Sequence, residues 1–136
     1  MEISVSKQQG RVPITVLQPH GNMDASSYTE LIKKARELFD GGDKDFIVDL
    51  SDVPFMSSAG LVALHSIAVF LRGEKPVDPQ SGWAALKSMD RSRARGMQEH
   101  IKLLGPQVMV GETLDKAGFT QFFQVFTDLK KAVESF

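Results

Sequence analysis

The sequence predicts an α/β protein with a mostly parallel sheet of four to five strands, opened by a hairpin and covered by about four helices. Three observations support this: residues 1–20 hold two neighbouring strand-like segments, helix-like and strand-like segments then alternate, and the third strand is apolar on both faces. The 136 residues, 42% hydrophobic and 24% charged, suit one globular domain over 1–136.

The first half of the chain supplies the hairpin, a helix and a buried strand. Residues 3–5 alternate weakly, and the β-branched residues 12–17 follow a turn at Gln9-Gly10. Apolar residues recur at helical spacing over 28–39, behind a capping-box sequence at 27–30 and before two glycines. Residues 46–50 form the short apolar run expected of a strand buried on both faces.

The next segments predict a buried helix, an insertion and a second αβ repeat. Residues 58–72 are apolar around most of a helix and end at Gly73. Residues 73–99 are Pro-, Gly- and Arg-rich and predict an insertion, with a helix over 83–98. Beyond it we expect a strand at 101–104, a helix at 108–117, a strand at 122–126, and a terminal helix with an apolar stripe formed by Leu129, Ala132, Val133 and Phe136.

Composition and motifs argue against several classes of function. The net charge of −1 shows no basic field for nucleic acid, and the absence of cysteine excludes disulfides and thiolate metal sites. No apolar run approaches a membrane span, and the histidines have no metal-ligand spacing, so His65 is expected to be a core residue. Because there is also no signal-peptide pattern, we expect a cytoplasmic protein. Without a phosphate-binding loop or nucleophile elbow, we expect that it is not an enzyme and needs no cofactor.

The most informative segment is the loop after the buried strand, residues 49–61. It is expected to expose Phe55 and Met56 and to start a helix at Ser57 or Ser58. One interpretation is structural: a serine caps the helix and Gly60 allows close packing. The other is functional, because the carboxyl edge of a parallel sheet is a common binding site and a helix N-terminus favours a phosphate.

In its ordered motifs the chain resembles STAS domains of the anti-sigma factor antagonist family. Residues 21–24 are similar to the G-x-(L/I)-D segment of that family, residues 49–51 to its D-L-S strand end, and residues 55–61 to its hydrophobic-M-D-S-S-G-L segment. Residues 102–106, the helix ending at Gly118, and the aromatic segment 122–126 agree with its second half. The resemblance covers residues 1–72 and 100–136 and implies the STAS fold.

The resemblance implies a phosphorylation-switched binding module. An antagonist of this family binds an anti-sigma factor that is also a GHKL-type serine kinase, and so frees a sigma factor. The kinase phosphorylates one serine, which aligns with Ser58, and a serine phosphatase resets it. The implied partner-binding residues are Asn22, Asp24, Met56, Ser57, Ala59 and Gly60. A phosphate there suits the helix, so the signal should arise at the interface by repulsion and desolvation.

Two features depart from the family pattern. Ser57 stands where the family has Asp, and Ala59 replaces its second serine, so Ser57 is an alternative phosphoacceptor. The insertion at about 73–99 is longer than usual and carries a net charge of +2 from six basic and four acidic residues when Arg72 is included. It is either a solvated loop or a docking arm, with candidate contacts at Trp83, Arg91, Arg93 and Arg95.

Other functions stay open at the level of sequence. Within the same fold, the chain could be a stressosome-like scaffold or a lipid-transport accessory subunit. A small-ligand-binding protein is a different class, for which a concave pocket with convergent polar groups would be the distinguishing feature. A homodimer is also compatible with the sequence.

Overall fold

The computed structural model describes residues 1–74 and 97–136, which form a five-stranded sheet in the order β1-β2-β3-β4-β5. β1 and β2 form the antiparallel hairpin, and each later neighbour is parallel. The strands are β1 Glu2–Gln9, β2 Pro13–His20, β3 Phe46–Asp49, β4 Ile101–Leu104 and β5 Val125–Phe126.

The described residues also contain four α-helices and one 3-10 turn, and the last helix follows β5. They are α1 Tyr28–Asp40, α2 Ser58–Leu71, α3 Val108–Lys116, the 3-10 turn Phe119–Gln121 and α4 Leu129–Glu134. The predicted α/β class, opening hairpin and alternation of strands and helices are confirmed. Because the connections are parallel crossovers, the loops after β2, β3 and β4 lie at one edge of the sheet, its carboxyl edge.

The central strands β3 and β4 are buried on both faces of the sheet, as the apolar β3 segment predicts. Phe46 and Val48 point into the larger core, which α1, α2 and α3 cover, whereas Ile47 points into a smaller core under α4. All three side chains are fully buried. The α2 helix is buried around most of its circumference, and its His65 is a buried residue, as expected.

The predicted strand at 122–126 is too long. Only Val125–Phe126 pair with β4, because the 3-10 turn precedes two phenylalanines that both enter the larger core. The ring centroid of Phe119 lies 4.9 Å from the ring centroid of Phe122 and 5.3 Å from that of Phe123. A regular strand would place Phe122 and Phe123 on opposite faces, so burying both rings on one side shortens the strand.

The predicted capping box at the start of α1 does not form. Ser27 is the N-cap residue, but its side chain makes no capping hydrogen bond. Its hydroxyl instead donates to the backbone oxygen of Asn22 at 2.8 Å and accepts from the backbone N–H of Asp24 at 3.0 Å. The Ser27 side chain, which the sequence pattern assigns to the helix, therefore stabilises the preceding loop.

The insertion joins the described chain at the edge of the sheet opposite the loops after β2 and β3. The α2 helix runs back to the amino edge, where Glu74 ends one described range and Met97 begins the next. The backbone N–H of Gln98 donates to the backbone oxygen of Phe122 at 2.8 Å, which fixes the return. Most of the predicted helix at 83–98 lies outside the described residues. So do all four predicted arm contacts: Trp83, Arg91, Arg93 and Arg95.

The aromatic cluster gives a stability prediction. Phe122→Ala should lower the free energy of unfolding by about 3–5 kcal/mol, because the ring is fully buried and leaves a cavity. Phe55→Ala is the matched control, and it should cost less than about 1 kcal/mol because that ring is 44% exposed. Urea unfolding measures both values. Equal losses in the two variants would contradict the packing described here.

Candidate functional site

Two loops at the carboxyl edge are joined through the backbone of Met23. Its N–H donates to the oxygen of Phe55 and its oxygen accepts from the N–H of Ser57, both at 2.9 Å. Met23 and Met56 thereby form a parallel bridge between the β2–α1 and β3–α2 loops. The flanking residues Asn22 and Asp24 are consequently held beside the start of α2.

The two serines at the start of α2 have different environments. Ser57 is the N-cap, and its half-buried hydroxyl accepts a hydrogen bond from the N–H of Ala59 at 3.2 Å. Ser58 is the first helical residue and its side chain is exposed. Ser57 therefore completes the helix end, while Ser58 presents its hydroxyl to solvent where the helix dipole favours negative charge.

Two residues predicted to bind a partner are buried instead. Met56 is 2% exposed, so the expectation that the loop exposes it is wrong; Phe55 is 44% exposed, as expected. Gly60 is buried, and a Cβ there would lie 2.5 Å from Met56 Cγ and 2.8 Å from Met23 Cγ. Gly60 and Met56 thus pack the two loops together, which is the structural interpretation of this glycine, while half-buried Ala59 remains at the surface.

Asp24 organises the first loop and keeps a charged carboxylate at the surface. Its Oδ1 accepts from Ser26 Oγ at 2.6 Å and from Ser26 N–H at 3.0 Å, and Ser27 Oγ lies 3.3 Å away. The Ser26 hydroxyl contributes most to a pKa of Asp24 below its ordinary value, since these donors stabilise the charged form. The Asn22 side chain is exposed beside it.

A contact between His20 and Asp52 anchors the β3–α2 loop to the hairpin. His20 Nδ1 contacts an Asp52 carboxylate oxygen, and its Nε2 lies 2.7 Å from Ser4 Oγ. The N–H of Gly21 also donates to the Asp52 backbone oxygen at 3.0 Å. These contacts hold the β3–α2 loop to the end of β2 at a second point beyond the Met23 bridge.

A third loop, between β4 and α3, adjoins the same region. The sequence analysis did not predict that this loop belongs to the candidate site. The side-chain amide of Gln107 donates to the backbone oxygen of Ser51 at 2.9 Å, which joins this loop to the β3–α2 loop. The next two residues, Val108 and Met109, are 80% and 63% exposed. Helical spacing in the sequence could have indicated their exposure, because neither residue falls on the Val110–Leu114 stripe that enters the core.

A concave pocket with polar groups lies at the opposite, amino edge of the sheet. It encloses about 570 Å³, and its walls include Asp45, His100, Lys102 and Phe136. Lys102 Nζ donates to the oxygen and hydroxyl of Ser135, both at 2.9 Å, and burial lowers its pKa. Residues 1–74 and 97–136 contain no group of three potential metal ligands, and none of their helices is long and apolar enough to cross a membrane.

The STAS domain family model matches residues 4–75 of this chain, slightly more than half of its length. The match includes the Met23 bridge, the two serines and the whole of α2. No curated protein sequence matches the chain at a significant level.

Solved structures share the fold at low sequence identity. A candidate anti-sigma factor antagonist from Thermotoga maritima superposes with a TM-score of 0.68 at 15% identity, covering 97% of this chain and 92% of its own. An anti-sigma factor antagonist from Mycobacterium paratuberculosis gives 0.64 at 14% identity, covering 96% and 91%.

A third similar protein, SpoIIAA, has been solved in two states. The anti-sigma factor antagonist in its unphosphorylated form gives a TM-score of 0.53 at 14% identity, covering 96% of this chain and 93% of its own. The Bacillus cell-fate determinant in its phosphorylated form gives 0.54 at 13% identity, covering 98% and 97%.

The packing of Gly60 predicts a difference between two helical glycines. Gly60→Ala should destabilise the protein by about 1–3 kcal/mol, because the new methyl overlaps Met56 and Met23. Gly111→Ala in α3 is the control. Apart from its chain neighbours and the backbone of its own helix, no atom lies within 4 Å of the new methyl, so the higher helix propensity should stabilise the protein by up to about 1 kcal/mol. Urea midpoints compare them, and a stable Gly60→Ala variant would refute the tight packing.

The Asp24 turn predicts a measurable titration change. Ser26→Ala should raise the pKa of Asp24, because it removes the hydrogen bond that lowers this pKa most. A depressed pKa adds stability that is present above the unfolded-state value and lost as pH falls through the folded-state value, so the variant should lose less stability on acidification. Carboxyl-carbon NMR titration measures the shift, with Ser6→Ala in β1 as the control. An unchanged Asp24 pKa would contradict the assignment.

Proposed function

The chain belongs to the STAS domain family, and we propose that within this family it acts as an anti-sigma factor antagonist. Similar folds in anti-sigma factor antagonists support this role. The observation that carries the proposal is the exposed Ser58 at the start of α2, beside Asn22 and Asp24 in the bridged loop. These residues supply a modifiable hydroxyl and a polar surface for one partner.

Ser58 is the proposed phosphoacceptor, and two features favour it over Ser57. The Ser58 side chain is exposed, so a kinase can reach its hydroxyl. The Ser57 hydroxyl is half-buried and caps α2 through the N–H of Ala59, so modifying it would remove that contact. Phosphorylation at Ser57 would therefore disturb the helix end, whereas phosphorylation at Ser58 adds charge without breaking a known hydrogen bond.

A phosphate on Ser58 is compatible with the folded domain. It would carry a charge of about −1.5 to −2 and would lie at the N-terminus of a 14-residue helix, where free N–H groups favour anions. The carboxyl-edge loops, residues 20–28, 50–58 and 105–112, contain no Lys or Arg that could neutralise it. The phosphate therefore remains hydrated at the surface, and a partner must dehydrate it in order to bind.

The replacement of the family Asp by Ser57 changes charge more than structure. Ser and Asp are comparable N-cap residues, so the observed cap is one that either side chain can form. What this chain lacks is one negative charge next to the phosphoacceptor. We therefore propose that its kinase recognises the loop chiefly through the charged Asp24 and the exposed Phe55.

The proposed pathway places the protein in the cytoplasm as a binding partner and not as an enzyme. Unphosphorylated, it would sequester an anti-sigma factor that is also a GHKL-type serine kinase, and a sigma factor would be released. Phosphorylation of Ser58 would end that binding, and a serine phosphatase would restore it. The amino-edge pocket with Lys102 takes no part in this cycle.

Phosphorylation should map to Ser58. Each GHKL-type anti-sigma kinase of the source organism is purified and incubated with MgATP and one substrate protein. The substrates are the wild type, Ser58→Ala and Ser57→Ala. Peptide mass spectrometry should find phosphate on Ser58 in the wild type and in Ser57→Ala, and none in Ser58→Ala. Ser57→Ala should also lose about 0.5–2 kcal/mol of stability, because it removes the cap.

Binding of the same kinase with ADP completes the test. Ser58→Asp should keep its unfolding midpoint and bind at least about 100-fold more weakly, equivalent to about 2.7 kcal/mol. The Thr29→Asp variant, at an exposed position in the first turn of α1, is the charge-matched control. If no kinase binds the wild type, or if Ser58→Asp binds normally, the proposal is wrong.

A further inference from the structure

We propose that Val108 and Met109 form an apolar docking platform for the same anti-sigma factor whose binding depends on the phosphorylation state of Ser58. This inference rests on the proposed function and adds the β4–α3 loop to the partner surface. Val108 and Met109 are the two most exposed large hydrophobic side chains in residues 1–74 and 97–136, at 80% and 63%. Single exposed apolar residues are common, but two adjacent ones on one helix turn form a patch that a partner can bury.

The sequence of α3 shows that this exposure is not needed for folding. Val110 and Leu114 are spaced by four residues and are both fully buried in the larger core. Val108 and Met109 lie in the first turn outside that stripe, where polar residues would serve the helix equally well. Gln107, at the N-cap position, makes no side-chain cap.

The Gln107 side chain instead attaches the platform to the serine-bearing loop. Its amide donates to the Ser51 backbone oxygen at 2.9 Å, and the N–H of Leu50 donates to the Leu104 oxygen at 2.8 Å. Gly105 lies close enough that a Cβ there would be 3.6 Å from Ser51 Cβ. The β3–α2 and β4–α3 loops therefore present one continuous surface, with exposed Phe55 on the first and Val108 on the second.

Charge and apolarity together define the partner. The carboxyl-edge loops contain Asp24, Asp52 and Glu112 but no Lys or Arg. The surface is thus apolar at Phe55, Val108 and Met109 and acidic around them. It fits a protein surface whose apolar pocket is bordered by Lys or Arg opposite Asp52 and Glu112 but not opposite Ser58. Complementary charges at a rim orient the partner, while the buried apolar centre supplies affinity.

The platform also explains how one phosphate could release a whole interface. Apolar burial requires water to leave the surface, and a hydrated phosphate on Ser58 holds water on the same edge. Affinity would come from the platform and control from Ser58, without a conformational change in this domain.

The test compares exposed-residue variants against the kinase that binds the wild type. The double variant Val108→Ser/Met109→Gln should keep the wild-type unfolding midpoint and weaken ADP-kinase binding by at least about tenfold in calorimetry. Val5→Ser, which removes a 38%-exposed valine from β1, is the matched control and should bind normally. Raising the salt concentration should slow association of both wild type and control, because the acidic rim steers it.

The outcomes distinguish failure of the platform alone from failure of the proposed function. If the wild type binds in a Ser58-dependent manner but the double variant binds equally well, the platform is wrong and the antagonist role stands. If no kinase binds the wild type, both fail. Hydrogen exchange gives an independent reading: the first-turn amides of α3 should gain protection in the complex, and unchanged exchange there would overturn the platform even if the double variant binds weakly.

Discussion

The arrangement of the candidate site depends on the two backbone hydrogen bonds of Met23. They join the loop after β2 to the loop before α2 directly beside Asp24 and Ser58. The contacts of Asp52 with His20 and Gly21 hold the same two loops at a second point. The bridge is stabilised from below because the Met23 and Met56 side chains fill the space over Gly60. A backbone link over a packed apolar base is suited to a surface that must hold its shape whether or not a partner is bound.

The rigidity of α2 explains how the same helix can serve the core and the signal. Its sides are mostly buried, so the helix cannot shift without disrupting the larger core, whereas Ser58 at its N-terminus is exposed. Ser57 satisfies the N–H of Ala59, and Ser58 stands beside it with its side chain exposed. A charge added at Ser58 therefore acts outward on a partner, because a shift of the helix would disrupt the larger core.

Periodicity in the sequence predicted the order of the elements well, because burial of β3 and α2 leaves a local apolar pattern. It failed where contacts outside the helix or strand in question override the local pattern. Ser27 has the spacing of a capping box, yet its hydroxyl serves Asn22; Met56 looks like a loop residue, yet Met23 covers it. The aromatic run at 122–126 is strand-like, but packing Phe122 and Phe123 into one core overrides alternation. The exposure of Val108 and Met109 could not be predicted from composition, because apolar residues in a helix face the core in most cases.

Charge is unevenly distributed along the chain. The carboxyl-edge loops hold three acidic residues and no Lys or Arg, whereas residues 72–99, which contain the insertion, carry a net charge of +2. The insertion leaves the described chain after Glu74 and returns at Met97, at the amino edge. A net charge of −1 for the whole chain hides this separation. Because α2 spans from one edge to the other, the insertion begins at the opposite end of the helix that carries Ser58. A docking role for the insertion would therefore begin from a second surface, whereas the platform on α3 shares its edge with the phosphoacceptor.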